Sequence, residues 1–151
     1  MNDRRRFTIL MNPASAGGKA QRLLPEVRAM LGAAGAETKV VQTQDLPHAA
    51  DAARAATEGG ETVVALGGDG LVGALAAALK GSAPLGVLPG GRGNDFARAL
   101  GISQEIGPAC ETLLDGEVRK LDLGEANGRA FACIASVGST QMPTGSQTTP
   151  S

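Results

Sequence analysis

The chain has no tryptophan or tyrosine, and only three phenylalanines, one histidine and two cysteines in 151 residues. A core without large rings has to be aliphatic and closely packed, and with 22 glycines and many alanines its helices should lie near a sheet. Cys110 and Cys133 stand in apolar surroundings without CxxC or Cys/His spacing, which predicts buried thiols rather than a zinc site or a disulfide framework. Neither sign of charge is in excess: 14 Lys and Arg against 15 Asp and Glu give a net charge of -1. That speaks against a basic nucleic-acid surface and against an acidic disordered chain. No long hydrophobic run opens the sequence. Only Phe7 to Met11 follow Arg4-Arg5-Arg6, too few for a signal peptide or a transmembrane helix, so the expectation is one cytoplasmic domain with at most peripheral membrane contact.

Phe7-Thr8-Ile9-Leu10-Met11 is a run of strand formers ended by Asn12-Pro13 and a small-residue loop through Gly18. Leu23, Leu24, Val27, Met30 and Leu31 recur at three- and four-residue steps, predicting a helix that Gly32 or Gly35 stops. Lys39-Val40-Val41 predicts the next strand, ending near Thr43. Asp45 caps the helix after it, with Pro47 in the first turn and alanines running to Gly59-Gly60. Thr62 to Leu66 is an uninterrupted run suited to a parallel sheet covered on both faces. The alternation continues with a helix over Leu71 to Lys80 and a strand over Leu85 to Leu88. Further helices run from Asn94 or Asp95 to Leu100 and around Ala109 to Leu114. Val118 to Leu123 predicts a half-exposed strand, and Asn127-Gly128 a two-residue hairpin turn before Ala130 to Ala135. The expected fold class is therefore α/β: a three-layer αβα domain with a largely parallel sheet and its ligands at the carboxyl ends of the strands.

Three strand-to-helix loops at that edge, Asn12 to Lys19, Gly67 to Gly70 and Pro89 to Asp95, are rich in glycine and small polar residues. Such loops turn backbone N–H groups and helix N-termini toward an anion, most simply phosphate, although glycine also serves plain tight turns. Asp69 tips the balance, because a carboxylate between glycines at a strand end is placed to orient a hydrated Mg²⁺ beside phosphates. Two familiar motifs fail. Gly68 to Gly73 fits GxGxxG, but the following strand ends in Pro89-Gly90-Gly91 where a ribose-binding carboxylate should stand. Ser15 to Lys19 lacks the glycine and the hydroxyl of a P-loop, with Pro13 and Ala20 in those places.

Taken in order, Asn12-Pro13-Ala14-Ser15-Ala16-Gly17-Gly18-Lys19, Gly67-Gly68-Asp69-Gly70 and Leu85 to Arg98 resemble the three motifs of the diacylglycerol kinase catalytic domain. That family includes bacterial lipid kinases and sphingosine kinases, with NAD kinases and phosphofructokinases more distant. The resemblance covers about residues 7 to 138. It implies transfer of the ATP γ-phosphoryl group, with Mg²⁺, to a lipid hydroxyl such as that of diacylglycerol at a membrane surface, with a homodimer possible and no nucleic-acid partner. Position by position, it implies that Asn12, Pro13, Ala14, Ser15 and Ala16 line the nucleotide site, with Thr43 near the base or ribose. Gly67, Gly68, Asp69, Gly70, Leu71, Val72 and Gly73 would hold the phosphates. Asp69 would be the catalytic residue and act on the metal through water, while Asn94 and Asp95 would complete the floor. The sequence departs from the family at Leu71 and Arg92, where threonines are usual, although a guanidinium at Arg92 suits a phosphate. A soluble acceptor such as NAD, or a non-catalytic ATP-binding fragment, are the alternatives.

Lys19 reads as a phosphate ligand or a solvated first-turn lysine, His48 as a surface residue, Arg98 as the partner of a local acid, and Arg4 to Arg6 as a frayed basic terminus or a lipid-headgroup contact. Arg129 is the last charged residue, and residues 139–151 carry one apolar side chain, so they are expected to be a disordered tail. One back-translation read a base earlier suggests a frame shift near Gly138. The second, β-rich domain that the resemblance implies, with its general base, is expected to be absent from these residues.

Overall fold

The computed structural model describes residues 5–80 and 83–115, and beyond them the backbone of four three-residue strands. Four parallel strands, β1 (Arg6–Met11), β2 (Glu37–Gln42), β3 (Thr62–Gly67) and β4 (Leu85–Pro89), form one sheet in the order β2-β1-β3-β4. Ile9 pairs with Val40 on one side and Val64 on the other, and Val64 with Gly86. β1, β3 and β4 are buried almost throughout, as a sheet covered on both faces requires, whereas β2 alternates at the edge.

The helices α1 (Lys19–Ala33), α2 (Leu46–Glu58), α3 (Asp69–Leu79), α4 (Asp95–Ala99) and α5 (Ile106–Asp115) follow in turn. From β1 the chain crosses to β2 through α1 in one direction and returns past β1 to β3 through α2 in the other. Right-handed crossovers of opposite direction place these two helices on opposite faces. α5 packs beside α1, and α3 beside α2, completing the three layers. The core is aliphatic as expected, built on Ile9, Leu10, Met11, Val63, Val64, Leu66, Leu85 and Leu88. Ala49, Ala53 and Ala56 are the buried face of α2, and Gly86 lets Leu113 of α5 rest on the sheet: a Cβ there would stand 2.5 Å from its Cδ1. Cys110 belongs to this core, and burial, with the charges of Glu26 and Glu111, pushes its thiol up to about 11. It packs as a small apolar group; Cys133 lies outside the described residues.

β5 (Glu117–Arg119) pairs antiparallel with β8 (Ala135–Val137), and β6 (Gly124–Ala126) with β7 (Arg129–Phe131), so the expected strand at 118–123 is described only at its start. Ala126 pairs with Arg129, leaving the two residues between them that the hairpin reading requires. The expected tail at 139–151 lies outside the described residues.

The amino edge of the sheet is an ionic rim. Arg5 donates to the Leu114 carbonyl at the end of α5, and Arg6 Nη2 donates to that of Gly59 just past α2, 2.9 Å away. Both guanidinium groups therefore stand at helix C-termini, where a cation is favoured, and at the edge opposite the glycine loops. Thr8 Oγ1, buried on β1, donates to Glu61 Oε1 at 2.5 Å, and Lys39 Nζ lies 3.6 Å from the same oxygen. The Thr8 hydrogen bond chiefly, and then Lys39 and Arg6, hold the Glu61 carboxyl below its ordinary 4.5 against the cost of burial. A carboxyl lowered on folding adds stability above its unfolded value, and this is lost as pH falls through its folded value. Thr8→Val should therefore cost stability in urea unfolding at neutral pH, and the gap to the parent should narrow as pH falls below 4.5 and through the lowered folded value of the carboxyl.

Candidate functional site

The carboxyl edge carries the loops. After β1, Asn12 Oδ1 accepts the Ala14 N–H at 2.9 Å and its carbonyl accepts that of Ser15 at 3.1 Å, closing a turn. Ala16, Gly17 and Gly18 then take left-handed conformations in succession and reverse the chain into α1. After β2, the buried Thr43 donates its N–H to the Met11 carbonyl at 2.8 Å, which ties the end of β2 to that of β1. Asp45 caps α2, its Oδ1 accepting the His48 N–H at 2.8 Å, and His48 Nδ1 accepts the Gln44 N–H, so the single histidine serves this cap.

These loops enclose one cleft of about 210 Å³. Asn12 and Ser15 line it from the first loop, Thr43, Asp45 and Leu46 from the second, and Gly67, Gly68, Gly70 and Leu71 from the third. Seven residues expected at a phosphate or nucleotide site are thus neighbours around one cavity, although they come from three strand ends. Asp45 and Leu46 were not expected; extending the strand-end rule to β2 would have found them.

The other expected residues stand apart from that lining. Pro13, Ala14 and Ala16 shape the first loop, Val72 is buried in the core, and Gly73 faces the Phe96 ring. Arg92 and Asp95 are exposed, and Asp95 Oδ1 lies 3.7 Å from Arg98 Nη1, the local acid expected for that arginine. Asn94, buried and left-handed at φ 55°, closes on its own loop. Its Oδ1 accepts the Gly91 N–H at 2.9 Å, and its Nδ2 donates to the Gly91 carbonyl and to Gln104 Oε1, each at 3.1 Å.

Asp69 was expected only as a charge facing a hydrated metal, and the geometry gives it a second task. Its Oδ2 accepts the Asp95 N–H and its Oδ1 that of Phe96, each at 2.8 Å, so the first residue of α3 caps α4 from across the site. Lys19 Nζ donates to the Gly91 carbonyl at 3.1 Å and links the first loop to the last, which is neither reading the sequence offered. Beneath, glycine backbones touch: Gly90 N donates to the Gly67 carbonyl at 3.0 Å, and Gly91 lies against Gly68. The loops after β1, β3 and β4 are one braced unit.

A parallel three-layer domain with its glycine-rich loops gathered at the carboxyl edge is the class of α/β domain that takes its ligand across that edge. The chain belongs to the diacylglycerol kinase catalytic domain family, whose family model matches residues 6–126. Diacylglycerol kinases of Staphylococcus aureus (strain bovine RF122 / ET3-1) and Staphylococcus saprophyticus are 36% and 35% identical to it over 152 residues, covering 98% of the chain and 48% and 49% of those proteins. The crystal structure of a diacylglycerol kinase from Bacillus anthracis str. Sterne superposes with a TM-score of 0.74 at 25% identity, over 87% of this chain and 49% of that one. The chain spans about half the length of the curated relatives it matches. No helix among the described residues is long and apolar enough to cross a membrane.

Proposed function

We propose that these residues form the nucleotide-binding half of an ATP-dependent lipid kinase that phosphorylates diacylglycerol or a similar lipid alcohol. The observation that carries this reading is the cleft, where Asn12, Ser15, Thr43 and the Gly67–Leu71 loop meet at the sheet's carboxyl edge in a chain of this family. In the proposed reaction the lipid hydroxyl oxygen bonds to the γ-phosphorus, the bond to the β-phosphate oxygen breaks, ADP leaves and the hydroxyl proton passes to a base. Such a reaction needs positioning and charge neutralisation more than covalent help. The base is proposed to lie in the half of the relatives that this chain does not match.

Among the described residues no three His, Cys, Asp or Glu side chains gather as a metal cage. The Asp69 and Asp95 carboxylates do flank Gly93, 3.7 and 3.9 Å from where its Cβ would stand. Two carboxylates without a cage suit Mg²⁺, which keeps its waters and takes its other ligands from phosphates. Bound with the triphosphate, the ion would neutralise charge on the phosphate oxygens.

Calorimetric titration of the chain with ATP and Mg²⁺ should give saturable binding, and absence of binding would overturn the reading. The acceptor is decided by following γ-phosphoryl transfer to diacylglycerol in mixed micelles, with NAD as the competing acceptor, using the chain extended by the half that its relatives carry. Transfer to NAD alone would refute the lipid assignment.

A further inference from the structure

The second wall of the cleft hangs on the chain's single histidine. Thr43 is tied to β1 through its N–H and the Met11 carbonyl, and the first backbone bond of α2 runs from the Ala49 N–H to the Asp45 carbonyl at 3.0 Å. Between those points the loop's described hydrogen bonds are two, and both pass through His48: its N–H donates to Asp45 Oδ1 at 2.8 Å, and its Nδ1 accepts the Gln44 N–H at 3.1 Å. Asp45 and Leu46, which line the cleft, sit inside this closed turn, and Pro47 has no N–H to add to it.

The arrangement is a capping box whose acceptor titrates near neutrality. Glu or Gln ordinarily reaches back from the third helical position with an oxygen that accepts throughout that range. An imidazole accepts at Nδ1 only when it is neutral with its proton on Nε2; once it is protonated both nitrogens are donors, and Nδ1–H confronts the Gln44 N–H. The first turn of a helix also disfavours a cation. Asp45 opposes this, but its Oδ1 already takes the His48 N–H. Asp51, next along α2, is paired with Arg54 at 3.0 Å, and Glu58 stands at the far end of the helix. β1 and β3, which pack on α2, carry no charged residue at this end. On α3, Asp69 is engaged by the N–H groups of α4, and Lys80 stands past the far end.

We propose that His48 is a positioning residue of the cleft and that it holds the Gln44–Leu46 wall only while its imidazole is neutral, so that the cleft loosens as pH falls through the histidine range. A contact that only the neutral ring makes stabilises above that range and is lost on the way down through it. The response of the wall does not depend on what the cleft binds; its consequence for ATP rests on the reading above.

The test compares the 151-residue chain with His48→Asn, whose Oδ1 takes the place of Nδ1 and accepts without titrating, and His48→Ala, which has no acceptor. At about pH 7.5 nitrogen spectra of the parent ring should show a bare Nδ1 and a protonated Nε2, and the Gln44 amide should exchange alike in the parent and His48→Asn but about fivefold faster in His48→Ala. At about pH 5.5 the parent should exchange like His48→Ala while His48→Asn keeps its protection, and the parent's melting temperature should have fallen about 2–4 °C relative to that of His48→Asn. Over the same interval the parent's affinity for Mg²⁺–ATP should fall about two- to threefold more than that of His48→Asn, a comparison in which the titration of ATP itself cancels. A proton on Nδ1 at the higher pH overturns the proposal, and so does a parent that tracks His48→Asn through the whole interval. A wall that opens without changing ATP affinity overturns the positioning role and leaves His48 as a cap of α2 alone. A parent that binds no ATP at either pH refutes the ATP reading, while the unliganded spectra and melting still decide the wall.

Discussion

Gly91→Ala should lower the melting temperature by about 6–12 °C, from a cost of about 3 kcal/mol at 2–4 °C per kcal/mol for a chain of this size. A methyl group on Gly91 would stand 2.4 Å from Gly68 Cα and 2.8 Å from Gly68 N, where carbon contacts are ordinarily about 3.5–4 Å. Backbone cannot rotate aside as a side chain can. The neighbouring Gly90 is likewise set close on Gly67, where a Cβ on it would stand 3.1 Å from Gly67 N and 3.2 Å from Gly67 Cα, so there is little room for a small shift of the loop. Relief requires the loops after β3 and β4 to part, which strains the Gly90 N–Gly67 O hydrogen bond and moves Asn94 and Lys19, both bonded to Gly91. Gly73→Ala is the control: its Cβ would meet only Phe96 Cε2, at an ordinary 3.8 Å. An alanine inside α3 should stabilise by about 0.5–1 kcal/mol. Scanning calorimetry of the two variants separates the claims, and a Gly91→Ala protein that melts with the parent would show that the loops part at little cost.

That contact marks where reading the sequence stops being sufficient. The Asp45 cap with Pro47 behind it, and the stops at Gly35 and Gly60, both left-handed, are written in a few adjacent residues, so local rules find them. The parallel sheet follows from apolar runs of strand length alternating with helices. Helix starts are less legible. α5 begins at Ile106 rather than Ala109, because Gly107-Pro108 punctuates a sequence pattern yet is tolerated in a first turn. α1 begins at Lys19, with the exposed Pro25 inside it, because the buried Ala20, Val27 and Leu31 anchor the helix on either side. The loops could be marked as a site from their composition and resemblance, but not how they are held. Gly68 and Gly91 are 23 residues apart in sequence, Lys19 and Gly91 are 72 apart, and no periodicity encodes a contact made by backbone. Asn94 shows the same limit: its resemblance places it on a nucleotide floor, while its amide is spent on the Gly91 peptide.

Asp69→Ala should destabilise the chain by about 2 kcal/mol and lower its melting temperature by about 4–8 °C even with no nucleotide or metal present. Both carboxylate oxygens accept backbone N–H groups from the first turn of α4, and the residue at that helix's own cap, Asn94, contributes no side-chain bond to it. Removing the carboxylate leaves both donors without a partner. Water can reach the exposed Asp95 N–H more readily than the half-buried one of Phe96, which keeps the cost near that of one charged hydrogen bond rather than two. Asp69→Asn separates this role from a metal role. An amide retains one acceptor and turns an NH2 toward the second donor, so about half the loss should remain, and amide exchange at Phe96 should quicken. A residue that acted only on Mg²⁺ would leave the unliganded melting temperature unchanged. It would weaken ATP only when Mg²⁺ is present, whereas a displaced α4 weakens ATP with and without the ion. Calorimetry of Asp69→Asn in both conditions therefore decides how much of the function of this carboxylate is to hold the loop that closes the site.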